Sequence, residues 1–161
     1  MPSTTAQNFE QVTYSSPNLA QVRSAAKVII GDAVATRTLT AKESGATILL
    51  DAAAVTYTLP TPSIGMFFEF RTTVASTAGK VVTNLSTEFL LGALSIQTIA
   101  TVTPAGFAAN GTTIRSINTN GTTTGGLVGD KFTVTAISAT QWLVEGILIG
   151  SGTLATPFLT S

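Results

Sequence analysis

From Lys27 onward, apolar and polar residues alternate in short runs separated by turn residues. Period-2 alternation over four to eight residues, bounded by Gly, Pro, Asn and Asp, predicts half-buried strands. The first runs are Lys27–Ile30, ended by Gly31-Asp32, and Thr36–Thr40, ended by the cluster Lys42–Gly45. Ala46–Leu50 and Val55–Leu59 follow, the latter stopped by Pro60-Thr61-Pro62. Met66–Val74 predicts a long strand with Phe68 and Phe70 on one face and Glu69 and Arg71 on the other. A turn at Ala78-Gly79-Lys80 precedes Val81–Leu85, and Phe89–Leu91 and Leu94–Thr103 run to a break at Pro104-Ala105-Gly106. Asn110-Gly111 and Asn120-Gly121 are turn signals, since both residue types tolerate positive φ. Thr112–Ile117 fits a strand between them, and Asn118–Gly126, low in complexity, predicts an exposed loop. The clearest hairpin joins Lys131–Ile137 to Gln141–Ile149, with Phe132, Val134 and Ala136 facing Trp142, Val144 and Leu148.

The ends of the chain read differently. Residues 1–26 carry Pro2 and Pro17, many Ser, Thr, Gln and Asn, and no sustained alternation. They predict an extended N-terminal arm that orders on a neighbouring subunit, with a short helix from about Asn18 to Lys27 capped by Asn18. Residues 27–150 form the body, and 151–161, with Pro157-Phe158-Leu159, read as a loose C-terminal tail. The expected fold is all-β: a β-sandwich or jelly-roll-like barrel of about ten short strands. No fixed-period repeat is visible, which argues against solenoids and propellers. Leu143, Ile147 and Ile149 lie opposite Trp142 and Val144, so the last strand is apolar on both faces. A lone sandwich needs only one apolar face per sheet, so a covering subunit or arm is expected.

Composition narrows the function. Eight basic residues balance eight acidic ones across 161 residues, and only 10% are charged, against roughly 25% ordinarily. Thr, Ala, Ser and Gly make up about half the chain. Near-zero net charge favours association, and a surface meant to be covered by partners is expected. There is no histidine and no cysteine, which excludes zinc sites of Cys/His type, thiol nucleophiles, imidazole bases and disulfides. Scattered Lys and Arg lack the footprint of a nucleic-acid binder. No run approaches the ~18 apolar residues of a membrane span, and the N-terminal residues do not resemble a signal peptide.

Candidate chemistry is sparse. The carboxylates Glu10, Asp32, Glu43, Asp51, Glu69, Glu88, Asp130 and Glu145 could in principle supply a glycosidase pair, but solvated charges explain them as well. Gly121–Gly129 is glycine-rich without the Gly-Lys-Ser/Thr of a phosphate loop. Asn84, Asn110 and Asn120 head glycosylation triplets that a Thr-rich chain produces by chance. Trp142 with Phe132 could stack a sugar, although a single strand Trp is more often core. No catalytic, cofactor or metal-ligating residues are expected.

One arrangement points further. Leu39-Thr40-Ala41-Lys42-Glu43-Ser44-Gly45 leads into Ile48-Leu49-Leu50-Asp51-Ala52, then Tyr57-Thr58-Leu59-Pro60, Pro62 and Gly65-Met66-Phe67-Phe68-Glu69-Phe70. Gly129-Asp130-Lys131-Phe132-Thr133-Val134 and Gln141-Trp142-Leu143-Val144-Glu145-Gly146 complete it. From Leu39 to Gly146 the chain resembles small β-rich structural proteins of tailed bacteriophages, in particular head decoration (cement) proteins. The resemblance implies a virion component on the outer capsid surface, made in the host cytoplasm. It implies a homotrimer that bridges neighbouring major capsid protein subunits without enzymatic activity, cofactor, nucleic-acid or membrane partner. Residues 1–26 would be its most capsid-engaged segment. The alternative is a fibre or tail-tip module that binds host-surface glycans through Asn118–Gly126 and Trp142. A carboxylate-dependent glycan hydrolase ranks last.

Overall fold

The computed structural model describes residues 27–99 and 103–161. The expected N-terminal arm and the helix at about Asn18–Lys27, Lys27 itself apart, lie outside these residues. The described chain forms two packed sheets. β1 (Ile29–Ile30), β3 (Thr47–Leu50), β5 (Phe67–Thr72), β7 (Phe89–Thr98), β8 (Ala105–Asn110), β10 (Lys131–Ala136) and β11 (Gln141–Gly150) build the larger one, in the order β1-β3-β5-β10-β11-β7-β8. β2 (Thr36–Thr38), β4 (Ala54–Thr58), β6 (Ala78–Val82), β9 (Ser116–Thr119) and β12 (Phe158–Leu159) build the smaller, in the order β12-β9-β6-β4-β2. This is the all-β sandwich expected from the alternating pattern.

The connectivity holds a feature that the pattern did not announce. From β1 to β6 the chain switches sheets at every strand, and β1, β3 and β5 pair in parallel, as do β2, β4 and β6. The first half of the body is therefore a coil of three rungs, and the expectation against solenoid-like winding needs correction there. Ile29 aligns with Thr47 and Thr47 with Glu69, advances of 18 and 22 residues. Thr36 aligns with Thr56 and Thr56 with Lys80, advances of 20 and 24. The unequal advances hide the coil from any search for a fixed period. A 3₁₀ turn at Ala41–Glu43 connects β2 to β3, and the Glu43 carboxylate closes it by accepting from Thr40 N and Oγ1 at 2.7 and 2.9 Å.

The core lies between the sheets. Phe68, Phe70, Phe132, Val134, Trp142, Val144, Leu90 and Leu94 come from the larger sheet; Val55, Tyr57, Val81 and Ile117 come from the smaller. Phe70 stacks on Phe132 at 5.0 Å, and Tyr57 meets Phe70 edge-on at 6.0 Å across the interface. The hairpin forms with the expected inner face, Trp142, Val144 and Leu148 all buried, and its register sets Phe132, Val134 and Ala136 opposite Gly146, Val144 and Trp142. β11 also pairs in parallel with β7, and Gly92 makes that contact possible. A Cβ there would sit 2.2 Å from the Val144 carbonyl oxygen, and its φ is +119°.

Several local expectations change. Ala78-Gly79-Lys80 is not a turn but the start of β6; a Cβ on Gly79 would lie 2.4 Å from Thr119 Oγ1, so the glycine serves close packing. Phe89–Thr98 is one strand, and Ala105-Gly106 opens β8 rather than breaking a run, because pairing with β7 outweighs weak intrinsic propensity. The strand expected at Thr112–Ile117 falls at Ser116–Thr119. Residues 151–161 are not a loose tail: β12 adds to β9, Phe158 is buried, and Ser116 Oγ donates to the Ser161 carbonyl at 2.6 Å. Asn118–Gly126 is a built corner whose first two residues end β9. Asn120 Oδ1 accepts from Thr122 N and Thr124 N, and Gly125 and Gly126 are buried beside Leu148 and Ser76.

Candidate functional site

Strand alternation fixes what the larger sheet shows to the outside. Phe67, Glu69 and Arg71 of β5, Lys131, Thr133 and Thr135 of β10, and Leu143, Glu145, Ile147 and Ile149 of β11 share this outer face. Phe67 is 40% and Ile147 52% exposed. A groove of about 420 Å³ runs along the β10–β11 pair, lined by Gly129, Lys131, Thr133, Glu145 and Ile147. Arg71 stands directly opposite Lys131. Like charges at such a pair repel, and Arg71 is offset by Glu69, which accepts from Arg71 Nε at 2.6 Å and pairs with Lys27 Nζ. Those two cations, Lys27 first, hold the Glu69 carboxyl below its ordinary value against the opposing effect of its burial.

The other carboxylates serve the fold. Asp32 and Glu43 both pair with Arg37, and Asp51 accepts from the Ala33 N–H at 3.1 Å. Glu88 is buried and its Oε2 accepts from the Asn84 and Leu85 N–H groups. Asp130 is buried behind β10 and accepts from Gly126 N at 2.7 Å and Ile149 N at 2.6 Å. Burial pushes its carboxyl up to about 6, against the lowering effect of those two bonds. Glu10 lies outside the described residues. No group of three His, Cys, Asp or Glu among the described residues could hold a metal.

Trp142 cannot stack a sugar. It is fully buried, 6.0 Å from the Phe68 ring, and Phe132 is buried against Phe70. The two aromatics that looked available on the hairpin belong to its inner face, as their common parity with Val134 and Val144 requires. Sequence reasoning missed the groove, because it depends on which residues β10 and β11 set side by side rather than on any motif. It did find the apolar outer positions Leu143, Ile147 and Ile149. No known protein family, curated protein or solved structure matches the chain.

Proposed function

We propose that this chain is a structural virion protein that decorates the head of a tailed phage, bridging major capsid protein subunits as a homotrimer. One observation supports this reading above the rest. Among the described residues most carboxylates are spent on internal ion pairs and backbone contacts, while large apolar side chains stand out. Val28, Ile29, Ile64, Phe67, Val128 and Ile147 are all exposed. Such a surface loses little desolvation energy on association, because few charges must be stripped of water. A cement needs only binding energy, multiplied when several copies engage at once, and stabilises the shell to which it binds. The test is electron microscopy of intact particles. Density for this chain on the outer head surface is the expected result; density confined to the tail overturns it.

The groove at Lys131, Thr133, Glu145 and Ile147 favours a second reading, a fibre or tail-tip module for host glycans. That reading gains if a glycan array shows selective binding that Glu145→Ala removes, and falls if no glycan binds.

A further inference from the structure

The coil of parallel rungs has an open end. β1 closes the larger sheet and β2 closes the smaller one, and neither has a second neighbour among the described residues. Both free edges belong to the same rung, joined by residues 31–35. Val28 and Ile29 are 60% and 66% exposed there, and Val34 is exposed beside them. An unpaired strand edge with apolar side chains is a template for another strand, and a stack of rungs needs a cap at its end. This edge is also held in shape. Ala33, at φ +50°, donates its N–H to the Asp51 carboxylate, and Arg37 is fixed between Asp32 and Glu43. A rigid acceptor loses little entropy when a strand is added.

We infer that this edge accepts residues 1–26 of a neighbouring copy as a further parallel rung. The chain carries 26 residues ahead of Lys27, and the rungs advance by 18 to 24. Continuing those advances places residues 5–11 against β1 and residues 12–18 against β2. The remaining eight residues, 19–26, reach at most about 27 Å, enough to bridge adjacent copies. Lys27 Nζ pairs with Glu69 on β5, across β3 from β1. Lys27, two residues before β1 begins, is thus anchored over the outer face of the sheet, away from its free edge, which favours donation to a neighbour over folding back. Each copy donates one segment and accepts another, a head-to-tail contact that closes into a ring. The inference rests on the self-association part of the proposed function and not on the capsid.

The chain has no cysteine, so introduced pairs report cleanly. Full-length chains carrying Gln7→Cys, Phe9→Cys or Gln11→Cys are each mixed with differently tagged full-length Ile29→Cys chains and oxidised. A disulfide joining the two tags, strongest at one of the three positions, is the expected result. No mixed disulfide at any position overturns the proposal. So does a bond forming within single chains that carry both substitutions, independent of concentration, which would mean the segment covers its own edge. In parallel, Ile29→Glu combined with Val34→Glu should weaken self-association about tenfold or more in sedimentation while leaving the melting transition in place. Unchanged association overturns the inference. Copies that exchange segments yet never bind phage heads would refute the capsid reading and leave this one standing.

Discussion

At the scale of single residues, the fold depends on a few positions where only one side chain fits. Gly92 lets β7 lie against β11, and Gly92→Ala would combine a positive φ with a clash against a backbone oxygen. A loss of about 3 kcal/mol or more is expected in urea melts, because neither the φ nor the backbone can relax cheaply. Asp130 offers a pH test. Its folded value of about 6 exceeds the ordinary 3.8, so the folded state binds this proton more tightly. Its contribution to stability therefore rises as pH falls from above 6 towards 4, by roughly 2–3 kcal/mol. Asp130→Asn removes that dependence, so the stability difference between wild type and variant should widen in favour of wild type as pH falls from 7 to 4.5. A difference that stays flat with pH would refute the assignment. Glu69 runs the opposite way: its depressed value stabilises above its unfolded pKa, and that support is lost as pH falls through the folded value. The duplicated Asn-Gly-Thr-Thr runs show one solution used twice. Asn110 Oδ1 accepts from Thr112 N and Thr113 N, and Asn110 Nδ2 donates to Thr113 Oγ1; Asn120 repeats the pattern with Thr122 N and Thr123 Oγ1.

At the scale of elements, β12 carries the clearest prediction. Phe158 packs into the core from a two-residue strand on the edge of the smaller sheet. Phe158→Ala should cost about 3 kcal/mol in thermal melts, whereas an inert tail would show no change. Sequence reading placed most strands because their parity is written in alternating residues, as at Phe68/Phe70 and along the hairpin. It failed where a glycine or proline had a tertiary role. Gly79 and Gly106 read as turns, yet both lie in strands, because a partner strand supplies what propensity withholds. It also took 151–161 for a loose tail, since a two-residue strand leaves no period to detect. The candidate surface was legible only as apolar positions on β11; the groove and the open edge arise from how strands from distant parts of the chain are stacked.

At the scale of the whole molecule, pairing spans long stretches of sequence. β7 and β11 join residues such as Phe89 and Gln141, far apart in the chain, in parallel. Refolding in milliseconds to seconds, rather than microseconds, is expected for such a topology and can be followed through the fluorescence of Trp142, the chain's single tryptophan. Added salt should promote self-association, because the exposed surface is apolar and ion-poor; sedimentation at rising sodium sulfate concentration checks the direction. The winding itself has polarity. At one end it stops in the unmatched pair β1 and β2. At the other, β5 and β6 are met by the antiparallel strands β10 and β9, which reverse the chain direction. The coil can therefore be lengthened at one end alone, by a strand added beside β1 and β2, while the reversal at β10 and β9 closes its other end to any further parallel rung.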